Sequence, residues 1–329
     1  MISKEQIRDL VNSSQKILVI SHMNADGDAM GSALGLAEAL ATRGKEVSVR
    51  IPPPVPSLYT YLLGADLINQ PEKFEPELVI VVDAADITRV PGTLNGISEE
   101  VLRLNIDHHP DNTLFADVNY VVPEASSTSE ILTALLQEWG WEISAEAADC
   151  FYTGILTDTG SFQYSNTTEV TFAVARELKG LGADTSGIAH KIFRSKSKSR
   201  KKLEQLAAIN DTFECDDRLL YTSVTLEMKE KAGATPEDAY SIISELSGTE
   251  SVDLVISFEE KTPNLTRVSL RSSRGFDCSE LAHQFGGGGH KAASGINIDD
   301  SLENAMNKVL TKAREALRQE VRKEMALTF

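Results

Sequence analysis

Short apolar runs alternate with helix-forming segments along the first half of the chain. Four runs predict strands, at Ile17–Ser21, Val47–Ile51, Leu78–Val82 and Val101–Ile106. Helices are predicted at Gly31–Arg43, 128 to about 139, 145–158 and Thr168–Leu181. Short strands that are apolar throughout and separated by helices indicate a parallel sheet that is buried on both faces. The first half is therefore predicted to be an α/β domain, a mostly parallel sheet with flanking helices.

The pattern changes in the second half of the chain. Apolar and polar residues alternate there, as in half-exposed strands, over Leu219–Leu226, Val252–Phe258 and Leu265–Ser272. Helices are predicted to flank these strands at about Pro236–Leu246 and Ser301–Leu327. This rhythm predicts a smaller α+β domain. We expect domains at 1–193 and 212–329, joined by a linker helix at 194–211.

The predicted linker has an unusual charge. Six of the nine residues from Arg194 to Lys202 are basic and none is acidic. A solvated helix face explains this composition, and so does a contact with the phosphates of a nucleotide. Both interpretations stay open at this point.

Composition excludes several classes of protein. The chain has 329 residues, of which 41% are hydrophobic and 25% charged, so it can bury a large core. No apolar run approaches the ~20 residues of a membrane span, and the N-terminus lacks the apolar segment of a signal peptide. Three cysteines without a CxxC pair argue against a disulfide scaffold or a thiolate zinc site. We therefore expect a cytoplasmic protein without a membrane partner.

The net charge of −17 bears on the ligand. A broad basic face for duplex DNA is not expected on such a chain. A small phosphorylated substrate is compatible with it, because bound metal ions or a few basic residues supply the local positive charge.

Carboxylates and histidines follow three of the predicted strands directly. The first strand leads into His22, Asp26 and Asp28, the third into Asp83, and the fourth into Asp107, His108 and His109. Ligands of an open parallel sheet bind beyond the carboxyl ends of its strands, so these clusters are expected to converge. Asp158 ends the apolar face of its helix and is expected to point to the same place.

Such a cluster predicts divalent metal ions. Several carboxylates close together cannot all stay ionised without compensation. Mixed Asp and His ligation suits Mn²⁺, Zn²⁺ or Fe²⁺ better than Ca²⁺, and two metals need about six or seven protein ligands. Taken singly, an Asp after a strand is often a helix N-cap, and a His at a strand end is often structural. We assign His190 and His283 to the structural class, whereas the joint pattern favours metals.

These residues resemble the DHH phosphoesterase superfamily. The run His22-Met-Asn-Ala-Asp26-Gly-Asp28 is similar to its HxxxDxD motif, and Asp107-His108-His109 is the triplet that names it. Asp83 and Asp158 stand where the superfamily has its second and fourth acidic motifs. The resemblance implies two Mn²⁺ ions: His22 and Asp26 hold one, Asp28, His108 and Asp158 hold the other, and Asp83 bridges them. It also implies that Asp107 orients its neighbours and that His109 contacts the substrate phosphate.

Four consecutive glycines precede His290 in the second half. They form either a flexible turn or a loop whose backbone N–H groups approach an anion closely. Upstream, one strand face is predicted to carry Arg267, Ser269, Arg271 and Ser273. An arginine there is either solubilising or a phosphate clamp.

The glycine run resembles the GGGH motif of the DHH-associated domain in RecJ-like and NrnA-like proteins, with one extra glycine. The resemblance implies substrate binding by Arg271, Gly287, Gly288, Gly289 and His290. The compact length resembles the NrnA-like group, which hydrolyses very short RNA and removes the 3′-phosphate of adenosine 3′,5′-bisphosphate (pAp). We therefore expect two-metal phosphoester hydrolysis, by in-line attack of water, in a cleft between the domains. A homodimer stays open.

Three alternatives remain. A cyclic-di-AMP or pApA phosphodiesterase has the same motifs. A manganese inorganic pyrophosphatase shares the DHH domain but carries a basic SRKK-like motif late in a different second domain, whereas Ser199–Lys202 falls in the predicted linker here. A nucleotide sensor without catalysis predicts an incomplete metal set.

Overall fold

The structure is a computed structural model that describes residues 2–71, 74–272 and 274–327. Ser273, predicted to share a face with Arg271, lies outside these residues. The chain divides into two compact units, Met1–Ser195 and Lys196–Phe329. Among the described residues, no helix combines the length and the apolar composition needed to cross a membrane.

The described part of the first unit contains one sheet and six α-helices. Its strands are β1 (Lys16–Ile20), β2 (Glu46–Arg50), β3 (Leu78–Val82), β4 (Leu102–Asp107) and β5 (Val118–Val121). Its helices are α1 (Lys4–Ser13), α2 (Gly27–Thr42), α3 (Thr128–Glu138), α4 (Ala145–Asp158), α5 (Glu169–Gly180) and α6 (Thr185–Ala189). Short 3₁₀ turns occur at Ser57–Tyr59, Ala65–Leu67 and Ile87–Arg89, and a π turn at His190–Arg194.

The sheet has the order β2-β1-β3-β4-β5, and every neighbouring pair is parallel. This confirms the predicted parallel sheet. The fifth strand was not predicted, because its residues are only half-buried and its sequence lacks a continuous apolar run. One face of the sheet packs on helices, and the other packs on the irregular segment that contains Ala84 and Val90.

Helix α2 begins four residues before the predicted start at Gly31. Asp26 is its N-cap: its Oδ1 accepts hydrogen bonds from the backbone N–H groups of Asp28 and Ala29, both at 3.0 Å. A capping carboxylate compensates for the poor helix propensity of Gly27. The N-cap interpretation of Asp26 is therefore correct, and it places the first turn of α2 at the end of β1.

Glycines bring α2 and α4 into backbone contact. A Cβ added at Gly31 would lie 2.3 Å from the carbonyl oxygen of Cys150, and one at Gly27 would lie 2.3 Å from Oγ1 of Thr157. Both glycines are on one face of α2, four residues apart. This close packing sets the start of α2, with its carboxylates, beside the end of α4, where Asp158 lies.

The second unit contains a mixed sheet with helices on both faces. Its strands are β6 (Thr212–Glu214), β7 (Leu219–Val224), β8 (Leu254–Thr262), β9 (Leu265–Arg271), β10 (Gly288–His290) and β11 (Ala293–Ile298). Its helices are α7 (Lys198–Ala207), α8 (Leu226–Ala232), α9 (Pro236–Tyr240), α10 (Ile242–Leu246), α11 (Cys278–His283) and α12 (Leu302–Leu327), with a 3₁₀ turn at Ala208–Asn210.

The sheet order is β10-β11-β9-β8-β7-β6, with β7 and β8 parallel and the other pairs antiparallel. The α+β class is confirmed, whereas three details differ from the prediction. Strand β8 is buried over its first six residues instead of alternating, because helices cover both of its faces. The segment Pro236–Leu246 is two short helices instead of one. Half of the glycine run, expected as a loop, belongs to the edge strand β10.

The boundary between the two units falls inside the basic segment, and α7 belongs to the second unit. Leu203 and Ala207 of α7 are buried in its core. Lys196 Nζ lies 2.6 Å from an oxygen of Glu245, and Arg200 Nε lies 3.0 Å from an oxygen of Glu204. Two of the six basic side chains are thus neutralised by acids of their own unit, which favours the structural interpretation for these two. A linker role for α7 stays a prediction.

Candidate metal centre

The first group of donor atoms lies where β1 ends. Nε2 of His22 is 3.3 Å from Oδ2 of Asp83 and 3.9 Å from Oδ1 of Asp26. Nδ1 of His22 donates to the backbone carbonyl of Met23 at 2.8 Å. A carbonyl oxygen only accepts, so the lone pair of a neutral ring is on Nε2, which faces the carboxylates.

The second group lies where β4 and α4 end. Nε2 of His108 is 3.1 Å from Oδ2 of Asp158, and Nδ1 lies 3.3 Å from the carbonyl oxygen of Ala125. One donor atom each from Asp28, His108 and Asp158 lies within 4.8 Å of the other two. His108 thus has the same arrangement as His22, with one ring nitrogen on the backbone and the other among carboxylates.

The N-terminus of α3 holds Asp28 in place. Oδ2 of Asp28 accepts from the N–H of Thr128 at 2.7 Å, and Oδ1 accepts from the N–H of Ser129 at 3.0 Å. Unpaired amides and the helix dipole make this end of a helix a good site for a carboxylate. The fully buried Asp28 is therefore fixed in one orientation.

Asp83 lies between the two groups. Its Oδ2 faces Nε2 of His22, and its Oδ1 is 3.6 Å from Nε2 of His108 and accepts from Oγ1 of Thr128 at 3.1 Å. The residue has a φ of +57°, in the left-handed region that Asp tolerates better than most residues. This turn directly after β3 directs one carboxylate oxygen to each histidine, as a bridging ligand requires.

Burial and like charges shape the pKa values of the cluster. Burial, with Asp83 and Asp158 nearby, raises the pKa of Asp28 well above its usual range. Burial also acts on Asp83, but the imidazole of His22 outweighs it and holds the pKa of Asp83 well below its usual range. Burial lowers the pKa of His22, yet Asp83 and Asp26 raise it to about 9. These pKa shifts show that positive charge is favoured among the clustered carboxylates, and divalent cations fit the Asp and His donor atoms of the cluster.

A hydrogen-bonded chain supports the second histidine of the triplet. Nδ1 of His109 donates to Oδ1 of Asp107 at 2.8 Å, and Oδ2 of Asp107 accepts from Nδ2 of Asn112 at 2.7 Å. Nδ2 of Asn112 also donates to Oδ1 of Asn105 at 2.8 Å. Asp107 is fully buried. Its hydrogen bond to Nδ1 orients the ring of His109 so that Nε2 lies on the ring edge away from Asp107.

Several of these partners were not predicted from the sequence. Asn105 and Asn112 of the hydrogen-bonded chain were missed, as were the amides of Thr128 and Ser129. One signal was available: Asn105 is a polar residue between the apolar Leu104 and Ile106. The structure shows it fully buried. The backbone amides carry no signal in the sequence.

Gly154 of α4 leaves room for Asp28. A Cβ at this position would lie 2.4 Å from Oδ1 of Asp28 and 2.1 Å from Oγ of Ser129. We expect Gly154→Ala to displace Asp28, to destabilise the fold by about 1–3 kcal/mol and to weaken binding of Mn²⁺. Thermal unfolding and metal titration of the variant measure both effects.

Gly180→Ala is the matched control, since no atom lies within 4 Å of a Cβ added to that helical glycine. It should leave metal binding as in the wild type and should not lower the unfolding temperature, because alanine has the better helix propensity. Equal behaviour of the two variants would show that Gly154 does not constrain Asp28.

The predicted substrate residues of the second unit lie on the two strands that flank β11. Arg271 of β9 and His290 of β10 are both paired with Ala293 of the intervening strand β11. Residues paired in register point to the same face, and neighbouring strands lie about 4.8 Å apart, so these two are about 10 Å apart on one face. Nη1 of Arg271 donates to the carbonyl of Leu270 at 2.9 Å.

The glycines of the run before His290 differ in the contacts that their backbone makes. The N–H of Gly287 donates to the carbonyl of Ala282 at 3.0 Å, which ends α11. Gly288 and Gly289 pair with β11, and a Cβ at Gly289 would lie 2.6 Å from the carbonyl oxygen of Ala293. The glycines therefore permit a close approach of backbone to backbone, and the N–H of Gly287 is already engaged.

Comparison with known proteins supplies a family for each unit. The family model described as "DHH family, N-terminal domain" matches residues 16–155, and that of the "DHHA1 domain" matches residues 216–320. A protein of Thermus thermophilus named "Bifunctional oligoribonuclease and PAP phosphatase NrnA" is 34% identical over 305 residues. The alignment covers 92% of this chain and 90% of that relative.

Two solved structures have the same fold. An exopolyphosphatase-related protein from Bacteroides fragilis has a TM-score of 0.86 at 27% identity, with 96% of this chain and 95% of that chain covered. The exonuclease RecJ bound to manganese has a TM-score of 0.51 at 15% identity, with 97% and 95% covered. The similarity to RecJ shows a shared fold alone.

Proposed function

This chain belongs to the DHH family and carries a DHHA1 domain, and on that premise we propose that it is a metal-dependent phosphoesterase of the NrnA type. It hydrolyses short RNA and removes the 3′-phosphate of pAp. The observation that carries the proposal is the pair of Asp/His groups on either side of the buried Asp83. The name of the relative from Thermus thermophilus supports the two substrates.

We assign the two groups to two divalent cations, most suitably Mn²⁺. His22 and Asp26 would hold one, Asp28, His108 and Asp158 would hold the other, and Asp83 would contribute to both. The donors fit, because the Nε2 atoms of both histidines face carboxylates and the buried carboxylates need compensating charge. Bound cations supply an activated water and neutralise charge on the phosphate.

The protein itself supplies orientation. The α3 amides fix Asp28, so one ligand is set before any cation arrives. Asp107 and Asn112 fix His109 with Nε2 on the edge that is left for a phosphate oxygen. His109 thus donates to the substrate, and Asp107 positions it.

Arg271, His290 and the glycine strand form the proposed anion site of the second unit. Arg271 and His290 share a face of the sheet, and the glycines Gly288 and Gly289 beside His290 lie on its edge strand β10. A chain with a net charge of −17 needs such local positive charge to hold a second phosphate. We assign the terminal phosphate of the substrate to this site.

Arg271→Ala is expected to separate recognition from chemistry. No proposed metal ligand is changed, so both cations should still bind. Loss of a charge-assisted pair, about 1.5–3 kcal/mol, should lower kcat/KM for pAp by roughly one to two decades. Hydrolysis of bis-p-nitrophenyl phosphate, which has no second phosphate, should remain near the wild-type rate.

Arg318→Ala removes an exposed arginine of the same unit and serves as the control. It should leave both rates unchanged. If Arg271→Ala slows both substrates equally, Arg271 supports the fold or the chemistry instead of recognition.

A substrate panel tests the proposed function. Turnover of pAp, pApA, a five-nucleotide RNA, cyclic-di-AMP and pyrophosphate is measured side by side with Mn²⁺. We expect pAp and the short RNA to be hydrolysed fastest. Preferred hydrolysis of cyclic-di-AMP or pyrophosphate would identify one of the alternative enzymes, and binding without turnover of any substrate would identify a sensor.

We also propose a cytoplasmic location. All three cysteines, Cys150, Cys215 and Cys278, are free thiols. This accords with a reducing compartment.

A further inference from the structure

Tyr240, at the end of α9, carries an arginine on its ring. The guanidinium carbon of Arg267 lies 4.4 Å from the centroid of the Tyr240 ring, within cation–π distance. Tyr240 nevertheless remains 43% exposed. The ring is thus held in place by an arginine and still presents aromatic surface to solvent.

Arg267 contacts the ring of Tyr240 and, among the residues that the structure describes, forms no ion pair with a carboxylate. Glu259, its partner in register on β8, lies 3.1 Å from Nζ of Lys229 and 3.5 Å from Nζ of Lys261. The acid paired with Arg267 in register is therefore neutralised by two lysines, and the charge of Arg267 remains available to an anion.

The pair lies on the same face of the sheet as the proposed anion site. Arg267 and Arg271 alternate with buried residues along β9 and point to one side. Ile242 and Ile243 of α10 pack with apolar residues of β7 and β8 on that side. Only Ser241 separates Tyr240 from α10, so Tyr240 lies between the apolar residues of that helix and Arg267 of β9.

We propose that Tyr240 and Arg267 bind a nucleobase of a short RNA whose terminal phosphate is held by Arg271. The proposal rests on the proposed function and adds a subsite to it. Aromatic rings and guanidinium planes are the surfaces on which single-stranded bases stack, whatever their sequence. The positive charge of Arg267 favours the phosphates that accompany such a base.

The spacing assigns the subsite to oligonucleotides. Four residues of a strand span about 13 Å, so Arg267 and Arg271 meet different nucleotides of a bound strand. The mononucleotide pAp has a single base and places its phosphate at Arg271. The subsite therefore serves RNA of two or more nucleotides and contributes nothing to pAp.

Hydrolysis of two substrates by variants of the full chain tests this division. Tyr240→Ala should lower kcat/KM for a trinucleotide RNA by about 5- to 150-fold, mainly through KM, because one stacking contact is lost. The same variant should hydrolyse pAp within twofold of the wild type. Tyr240→Phe keeps the ring and should match the wild type on both substrates.

Phe213→Ala is the matched control. It removes an aromatic ring of similar exposure, 47%, from β6, the edge strand farthest from β10 in the sheet of the second unit. This variant should change neither rate. Equal slowing of RNA and pAp by Tyr240→Ala would overturn the proposal, as would no slowing of either or a Tyr240→Phe variant as slow as Tyr240→Ala.

A binding measurement keeps this inference apart from the proposed function. A fluorescein-labelled trinucleotide is titrated with each variant in the presence of a chelator, so that hydrolysis does not matter. Weaker binding to Tyr240→Ala by fivefold or more supports the subsite even if the wild type hydrolyses no RNA, in which case only the proposed function fails. Unchanged binding overturns the subsite whatever the enzyme hydrolyses.

Discussion

Asp83→Asn should lower kcat by at least about 10³-fold, the largest effect of any single substitution in the cluster. Among the residues that the structure describes, Asp83 is the carboxylate whose two oxygens face histidines of both groups, His22 and His108. Its loss therefore weakens both proposed cation sites at once. Rate losses of about this size are usual when metal or electrostatic stabilisation is removed from an enzyme of phosphoryl or acyl transfer. The measurement is kcat for pAp, with the metal content of the purified variant determined in parallel.

Asparagine is preferred to alanine at this position for a structural reason. Asp83 has a left-handed φ of +57°, which Asn adopts far more readily than Ala. The amide oxygen also keeps the hydrogen bond from Thr128. A loss of activity in Asp83→Asn thus reports the missing charge instead of a strained backbone.

Asp111→Asn is the matched control, since Asp111 follows the DHH triplet closely and is exposed. It should retain full activity and metal content. An Asp83→Asn variant that keeps a tenth of the wild-type rate would contradict the bridging role of Asp83.

Removal of divalent cations should abolish turnover of every phosphoester substrate. The proposed cations supply the activated water and the charge neutralisation, and no side chain of the cluster replaces both. We expect the chelated protein to regain activity when Mn²⁺ is added back, with two ions bound per chain. Activity, bound metal and thermal unfolding are measured on the same samples.

The unfolding measurement separates a metal requirement of the chemistry from one of the fold. A cation that binds only the folded chain raises its stability in proportion to RT ln(1 + [L]/Kd). Mn²⁺ should therefore raise the unfolding temperature of the wild type more than that of Asp83→Asn. Full turnover by protein without metal would refute the proposed mechanism.

Much of the fold could be predicted because its signals are local. Helix α4 has the predicted bounds, α5 lies within one residue of its predicted bounds at each end, and the apolar run Leu78–Val82 is a strand buried over its whole length. Strands with weaker signals were missed. Strand β10 consists of two glycines and a histidine, and it exists only because β11 pairs with it.

The sequence predicted which residues come together in the candidate site but not how their side chains are oriented. The end of a parallel strand is marked in the sequence by the change from apolar to ionisable residues, and all such ends meet at one edge of the sheet. The sequence therefore located the convergence of His22, Asp83 and His108. It contained no sign that Asp83 turns left-handed, or that the amides of α3 hold Asp28.

By itself, the sequence determined the class of fold, the chemical nature of the donors and the edge of the sheet where they meet. These follow from residue type and periodicity, which act over a few residues. Only the tertiary structure decided which ring nitrogen of each histidine faces the carboxylates, that Gly154 leaves space for Asp28, and that Tyr240 lies on Arg267. Such details depend on side chains that are far apart in the chain, and packing brings those together only when the whole core is formed.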